Sequence, residues 1–99
     1  MNKYNKHINH SASLLKSVGH PIRLSIILCL SDYEHLTVTE LSDLLSIDQP
    51  VMSLHLGVLR RCNVIKVEKV GKNSMYSTSN ISIKQIVSIV CNAQKFISV

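Results

Sequence analysis

Residues 37–61 read TVTELSDLLSIDQPVMSLHLGVLRR, a stretch that predicts two short helices joined by a tight turn. Thr37 stands three residues before Glu40. This spacing is typical of a capping box, in which each side chain bonds the backbone N–H of the other residue. The first helix is therefore predicted over residues 37–45. A second helix is predicted over residues 49–61, after only a few turn residues.

The start and the two faces of the second helix follow from its residues. Asp48 is a good N-cap, and Pro50 suits the first helical turn, where its missing N–H is not needed. Apolar side chains at i, i+4 and i+7 predict a face toward the core, at Met52, Leu56 and Leu59. Polar side chains occupy the opposite face, at Gln49, Ser53 and Arg60. This helix therefore presents a polar surface to solvent or to a partner.

The chain beyond these two helices predicts a β-hairpin and one long helix. β-Branched residues favour a strand, and Gly71 opens a turn to a second strand, so a hairpin is predicted over residues 64–79. Lys69 and Lys72 lie at its tip. A last helix over residues 82–97 carries an apolar arc wider than one small core needs. Part of that arc is expected to face another subunit.

Two further helices are predicted on the N-terminal side. Residues 1–10 are polar and basic, and we expect them to be flexible. A helix over residues 11–18 follows, and Gly19-His20-Pro21 interrupts it because Pro cannot continue a helix. The next helix covers residues 21–31, and its dense apolar residues predict a central, buried position. One domain over residues 1–99 accounts for this order of elements.

Charge is unevenly distributed along the chain. Eleven Lys and Arg against six Asp and Glu give a formal net charge of +5, and five of the six acidic residues lie between Asp32 and Asp48. Residues 49–99 carry seven basic residues against Glu68 alone, a local charge of +6. A basic segment beside an acidic one indicates an oriented surface that meets a polyanion, and nucleic acid is the commonest such partner.

Cysteine usage and hydropathy predict a cytoplasmic protein. The three cysteines, Cys29, Cys62 and Cys91, contain no CxxC pair and are too scattered for a disulfide framework. The longest apolar run, residues 26–30, is far shorter than a membrane span. We therefore expect neither a signal peptide nor an association with membranes.

Two short helices joined by a tight turn, followed by a basic hairpin, form the layout of a winged helix-turn-helix. Over residues 12–80 the sequence resembles the ArsR/SmtB family of bacterial repressors. The matching residues are His20-Pro21-Ile22-Arg23-Leu24, Glu40-Leu41, Gln49, Ser53, His55-Leu56 and Leu59-Arg60. The resemblance implies a mainly α fold of about five helices with a two-stranded β-hairpin wing, and a transcriptional repressor that binds double-stranded DNA.

The resemblance also implies a homodimer on a palindromic operator. Its dimer interface would be formed by the helices over residues 11–18 and 82–97. The helix-turn-helix would be residues 37–61 and the wing residues 64–79, with the helix over residues 49–61 entering the major groove. Two such helices about 34 Å apart meet one face of B-DNA at half-sites one turn apart.

Residues that contact DNA are predicted on this recognition helix and on the wing. Gln49 and Ser53 can hydrogen-bond base edges, and Gln suits the two-atom edge of adenine. Four cations can neutralise phosphates: Arg60, Arg61, Lys69 and Lys72.

Three further positions of the recognition helix leave alternatives open. Pro50 and Leu54 stand where many members of the family have polar side chains. Leu54 meets either a thymine methyl group or a protein partner. His55 either touches DNA or packs in the core as a hydrogen-bonded histidine.

Neither of the common metal sites of the family is predicted in this chain. Members that sense metals carry a Cys-x-Cys ligand pair where this chain has Thr37-Val38-Thr39, whose hydroxyls are poor ligands for soft metals. The last helix lacks Asp and His at ligand spacing. His7 and His10 could bind zinc or nickel with a third ligand from elsewhere, but a flexible tail that carries histidines is the favoured interpretation. No metal and no other cofactor is therefore predicted.

Another branch of the family senses sulfide, persulfide or oxidants through one Cys in the second helix and one in the last. Cys29 and Cys91 resemble this pair. Cys29 lies one residue after, and Cys91 about one turn before, the usual places, and one residue turns a helical side chain by about 100°. A direct disulfide requires Cα atoms within about 7 Å. The resemblance implies release from DNA by persulfide or oxidant through these two thiols.

Sequence alone leaves three other function classes to weigh. A winged-helix module that binds protein without an effector would use Leu54 as a contact, and a metal-responsive repressor would need a non-standard site. An enzyme would need a Cys nucleophile and a His base in one cleft, and no spacing here favours that. The chain also lacks a Gly-rich phosphate loop, so we expect no enzymatic activity.

Overall fold

The structure is a computed structural model that describes residues 3–97, with the side chains of residue 5 and residues 93–97 outside the description. Within these residues the elements are α1 (Asn5–Val18), α2 (Pro21–Tyr33), α3 (Val38–Leu45), α4 (Gln49–Arg61), β1 (Ile65–Val70), β2 (Asn73–Thr78) and α5 (Ile81–Ile97). The two strands form one antiparallel sheet. This confirms the predicted fold class. Ala93 and Ile97, part of the apolar arc predicted on the last helix, lie outside the described side chains.

The N-terminal helix begins earlier than predicted. α1 starts at Asn5, six residues before the predicted start, so most of the described part of the segment expected to be flexible is helical. Ile8 precedes Ala12 and Leu15 by four and seven residues, so the helical spacing already begins upstream of residue 11. The remaining helix boundaries agree with the prediction within two residues, which is the usual scatter at helix ends.

Side chains from α2, α4 and α5 supply much of the buried core. The most buried of them are Ile26, Ile27, Leu30, Met52, Leu56, Leu59, Ile83 and Val87. The apolar face predicted for α4 is therefore the face that packs inward. Truncating one such residue to Ala costs about 2–5 kcal/mol, against a total stability of about 5–15 kcal/mol for an ordinary domain. Core packing thus sets which face of α4 points outward.

The connection between α3 and α4 depends on local backbone chemistry. The Oγ1 atom of Thr37 accepts from the backbone N–H of Glu40 at 3.1 Å, and Oε1 of Glu40 accepts from the backbone N–H of Thr37 at 2.9 Å. The predicted capping box is therefore complete. Ser46 ends α3 in the left-handed conformation, at φ 54° and ψ 48°. Asp48 occupies the N-cap of α4, although its side chain makes no capping hydrogen bond.

The hairpin forms the wing, which we define as residues 64–79. Its strands pair in register up to Val70 opposite Asn73, and Gly71 turns the chain with φ 63°, a conformation that glycine adopts without strain. A further bridge joins the wing to the loop between α2 and α3. The N–H of Leu36 donates to the carbonyl of Tyr76 at 3.0 Å, and the N–H of Tyr76 donates back at 2.7 Å. The wing is therefore attached to the helical body at its middle as well as at its base.

Among the described helices, none is by itself both long and apolar enough to cross a membrane. Lys6–Val18 and Pro21–Tyr33 reach the required length and composition only when taken together, and the chain bends by 89° between them.

Candidate nucleic-acid interface

The first two turns of α4 present four of the predicted DNA-binding residues to solvent. Gln49, Pro50, Ser53 and Leu54 are all exposed, and Leu54 has 66% of its surface accessible. In a helix-turn-helix, the N-terminal residues of the second helix are the ones that contact base edges. The structure therefore brings these four residues together on the face that such a helix uses for bases.

Gln49 is held by Thr39, a neighbour in α3 that the sequence pattern did not connect with it. Its Nε2 atom donates to Oγ1 of Thr39 in α3 at 3.0 Å. A Gln side chain has two N–H donors and one carbonyl acceptor, so this contact leaves one donor and the acceptor for a ligand. The two-atom edge of adenine requires one donor and one acceptor. Thr39 thus orients the amide without using up the groups needed for base recognition.

The cations predicted to contact phosphates are exposed at the C-terminal end of α4 and on the wing. They are Arg60, Arg61, Lys69 and Lys72. In the part of the chain that the structure describes, the one ion pair joins Lys66 and Glu68, so it involves none of these four. The two arginines also lie in the last turn of α4, where the helix dipole stabilises positive charge. All four charges are available to an anionic partner.

Gly57 shapes the surface next to the two arginines. A Cβ atom at this position would lie 3.4 Å from Nη1 of Arg61, so the guanidinium group extends across the helix over Gly57. Gly57, Arg60 and Arg61 line one surface depression. Residues four apart are neighbours on a helix surface, so the spacing of Gly57 and Arg61 could have indicated this contact from the sequence.

The prediction of His55 as a DNA contact is not met, because His55 is buried and only 8% of its surface is exposed. Its Nδ1 atom is 3.3 Å from Nη1 of Arg23, and its ring centroid is 4.5 Å from that of His20. His55 adjoins Leu56 on the inward side of α4, which explains its burial. Burial lowers the pKa of His55, and the charges of His20 and Arg23 lower it further. His55 therefore connects α4 to α2 and does not face a DNA groove.

The cysteine pair lies on two helices that pack against each other. Cys29 in α2 is buried, Cys91 in α5 is half-buried, and both contact the hydrophobic core. Burial raises the pKa of the Cys29 thiol, and the nearby carboxylate of Asp32 raises it further. Cys62 is half-buried at the end of α4. All three thiols are free.

The described side chains that can bind metals do not form a metal site. Among the described residues, no three His, Cys, Asp or Glu side chains come together in a way that would hold a metal ion. His7 and His10 are both exposed on α1.

An exposed polar face on the second of two short helices, cations at its end and a basic wing beside it together define a winged helix-turn-helix DNA-binding protein. Known proteins agree with this class: the helix-turn-helix domain family matches residues 18–68. The chain belongs to the ArsR/SmtB family of winged-helix transcriptional repressors and is similar to its member BigR. It is a DNA-binding transcriptional regulator, and the family predicted from the sequence is confirmed.

Individual relatives cover most of the chain. The biofilm growth-associated repressor of Xylella fastidiosa is 33% identical over 91% of this chain and 82% of its own length. The transcriptional repressor PagR of Bacillus anthracis is 31% identical over 84% of this chain and 83% of its own. Among solved structures, reduced HlyU from Vibrio cholerae has a TM-score of 0.84 at 28% identity, covering 94% and 97%. The repressor BigR from Xylella fastidiosa has a TM-score of 0.81 at 31% identity, covering 89% of each chain.

Proposed function

We propose that this regulator is a homodimeric repressor that recognises a palindromic operator with α4. The main support for the proposal is the amide of Gln49, which a hydrogen bond to α3 orients and which lies beside exposed Ser53 at the start of α4. Base recognition by these two side chains supplies sequence preference, while the cations of α4 and of the wing supply affinity for any duplex. Such a protein acts on DNA in the cytoplasm and performs no catalytic step.

Two features support the homodimer. Large apolar side chains are exposed on α1 and α5, namely Ile8, Leu15, Ile81, Ile86, Ile89 and Val90. The radius of gyration is 14.7 Å, whereas a compact chain of this length has roughly 13 Å. A second copy packed on α1 and α5 would cover the apolar surface. It would also give the pair of recognition helices that a palindromic site requires.

The test is DNA binding by fluorescence anisotropy, with the protein's own upstream DNA and a scrambled duplex compared over a series of salt concentrations. We expect Gln49→Ala to remove the preference for the specific duplex, because it deletes a base contact. We expect Lys72→Ala to weaken binding to both duplexes and to lower the slope of log affinity against log salt by about 1.

Lys16→Ala is the matched control, because Lys16 is exposed on α1 and lies outside the recognition helix and the wing. It should leave affinity and salt slope unchanged. Equal effects of Gln49→Ala and Lys72→Ala on the two duplexes would contradict the assigned roles.

Release from DNA through Cys29 and Cys91 is the second part of the proposal. Its support is the contact between α2 and α5 and the position of both thiols against the same core. Two thiols that link through a disulfide pass two electrons and two protons to the oxidant; with a polysulfide as oxidant, sulfide is the reduced product. Because a buried thiol with a raised pKa is a poor nucleophile, we expect Cys91 to react first and Cys29 to close the link.

Mass spectrometry before and after treatment with polysulfide, together with DNA binding, tests this release. Linkage of Cys29 to Cys91 with loss of DNA binding is the expected result. Cys62→Ser is the control and should respond as the unmodified protein does. A Cys29→Ser/Cys91→Ser double variant that still leaves DNA after treatment would eliminate the thiol switch.

Exposed Leu54 and Val51 favour one alternative, a winged-helix module that binds another protein. An apolar contact of this kind is insensitive to salt, whereas contacts between cations and phosphates weaken steeply as salt rises. The salt series therefore separates the two functions. A metal-responsive repressor with a non-standard site is the remaining alternative, and it predicts that zinc or nickel alters operator affinity.

A further inference from the structure

A small polar cavity lies on the wing side of the molecule, away from the recognition helix. Its volume is about 200 Å³. It is lined by the C-terminal end of α2, the residues just after it, both strands and α5, with no residue from α4. The polar side chains of the lining are Glu34, His35, Lys66, Ser77, Thr78 and Lys84. None of these was assigned a role above.

Ser77 gives the first indication of a ligand. Only 7% of its surface is exposed, and its hydroxyl has no hydrogen-bond partner among the described residues. Among the described residues, the side-chain atoms that are fully buried without a partner are Arg23 Nε and Ser42 Oγ, so the oxygen of Ser77 still opens onto the cavity. A hydroxyl that has no protein partner and opens onto a cavity is suited to donate to a molecule bound there.

The charge of the lining indicates the kind of ligand. Lys84 has no ion-pair partner in the part of the chain described, and Lys66 pairs only with Glu68 at 3.4 Å. Both members of that pair are more than half exposed, so the interaction is weak and Lys66 can turn to another anion. Within the lining, two ammonium groups stand against the single carboxylate of Glu34, and the second nearby carboxylate, that of Glu68, lies beside Lys66 outside the lining. The remaining polar groups, those of His35 and Thr78, add further donors.

The backbone at the edge of the cavity is strained. Glu34 has φ 56° and ψ −61°, and the N–H of His35 donates to the carbonyl of Tyr33 at 2.5 Å. This is a three-residue γ-turn of the rare and unfavourable hand. Strained residues of this kind persist where the surrounding structure holds them, and they concentrate at binding sites. Here the turn brings His35 to the cavity, between α2 and the bridge at Leu36.

We propose that this cavity binds a small oxyanion, with Lys84 and Lys66 as counter-charges and the hydroxyl of Ser77 as a hydrogen-bond donor from the cavity wall. Pockets for drug-sized ligands occupy roughly 300–1,000 Å³, so a cavity of about 200 Å³ suits a group of the size of phosphate or a short carboxylate. Phosphate and carboxylate oxygens share the chemistry that these donors recognise. The site is separate from the DNA interface and does not depend on the proposed operator recognition.

The test is a titration of the full chain with inorganic phosphate, followed by the backbone amide signals in nuclear magnetic resonance. A second titration uses acetate, and both are compared with chloride at the same ionic strength. We expect saturable shifts centred on Ser77, Thr78 and Lys84. Saturation by phosphate alone would identify a phosphate source, saturation by acetate alone would identify a carboxylate source, and either supports the site.

Two variants and two controls make the test specific. Lys84→Met and Ser77→Ala should weaken binding, Lys84→Met by about tenfold or more, because it removes a charge-assisted hydrogen bond. Lys16→Met removes an exposed charge on α1, which contributes no residue to the cavity lining, and Gln49→Ala alters only the DNA interface. Both variants should bind the anion normally. Unchanged binding by Lys84→Met, or shifts spread equally over all exposed lysines, would overturn the proposal whatever the outcome of the DNA experiments.

Discussion

Two histidines at the contact between α2 and α4 use the same ring atom as an acceptor. Nδ1 of His20 accepts from the backbone N–H of Ile22 at 3.1 Å and caps α2. Nδ1 of His55 faces Nη1 of Arg23, which can only donate. Both contacts therefore require a ring that is unprotonated at Nδ1. Protonation of His55 would also place a positive charge against the guanidinium group of Arg23.

This geometry predicts that the protein is less stable in mild acid. The folded-state pKa of His55 is lowered, by burial first and then by His20 and Arg23, so the unfolded chain binds the proton more tightly. The stabilisation is complete above the unfolded pKa of about 6.5 and is lost as the pH falls from there toward the lowered pKa. Besides burial, the described groups whose electrostatic interaction lowers the pKa of His55 are His20 and Arg23.

Urea unfolding at about pH 5 and about pH 8 measures this effect. His55→Gln keeps an acceptor but does not titrate, so its stability should vary less with pH than that of the unmodified protein. His10→Gln, which changes an exposed histidine on α1, should leave the pH dependence as it was. The same pH dependence in His55→Gln and the unmodified protein would refute the role given to His55.

The helix-turn-helix itself provides a prediction about stability at the level of secondary structure. Thr37→Ala removes the hydroxyl that closes the capping box of α3, and we expect the free energy of unfolding to fall by about 1 kcal/mol. Thr39→Ala is the matched change two residues later. It lies inside α3, where Ala is favoured, so stability should be maintained.

Thr39→Ala should instead reduce the preference for the operator, because Gln49 loses the contact that orients its amide. Chemical unfolding and DNA binding of both variants distinguish the two roles. A loss of stability in Thr39→Ala as large as that in Thr37→Ala would contradict them.

The elements differ in how far the sequence predicted them. α4 was predicted at its observed bounds because a residue type common at N-caps and an early proline mark its start and its apolar spacing is regular, although Asp48 makes no capping hydrogen bond. The start of α1 was missed because one isoleucine among polar residues is a weak signal. At the site, the exposed face of α4 followed from periodicity. The contacts of Gln49 with Thr39 and of His55 with Arg23 did not, because they join separate helices and depend on packing.

At the scale of the whole molecule, the exposed apolar side chains of α1 and α5 predict self-association. We expect Ile89→Glu to convert the dimer to a monomer in sedimentation experiments, because a carboxylate would then be buried between the subunits. Val70→Glu is the control, since Val70 is exposed to a similar extent, 59% against 67%, but lies on the wing. A monomeric unmodified protein, or dissociation of both variants alike, would exclude the proposed interface.

The bridge between Leu36 and Tyr76 links the amide hydrogen exchange of two distant segments. Each of these amides is bonded to the carbonyl of the other residue, so neither can exchange with solvent unless the loop after α2 separates from β2. Their protection factors should therefore be alike and should change together with temperature or denaturant. The middle of the wing and the loop thus open as one cooperative unit, while the turn at Gly71 remains free to fray on its own.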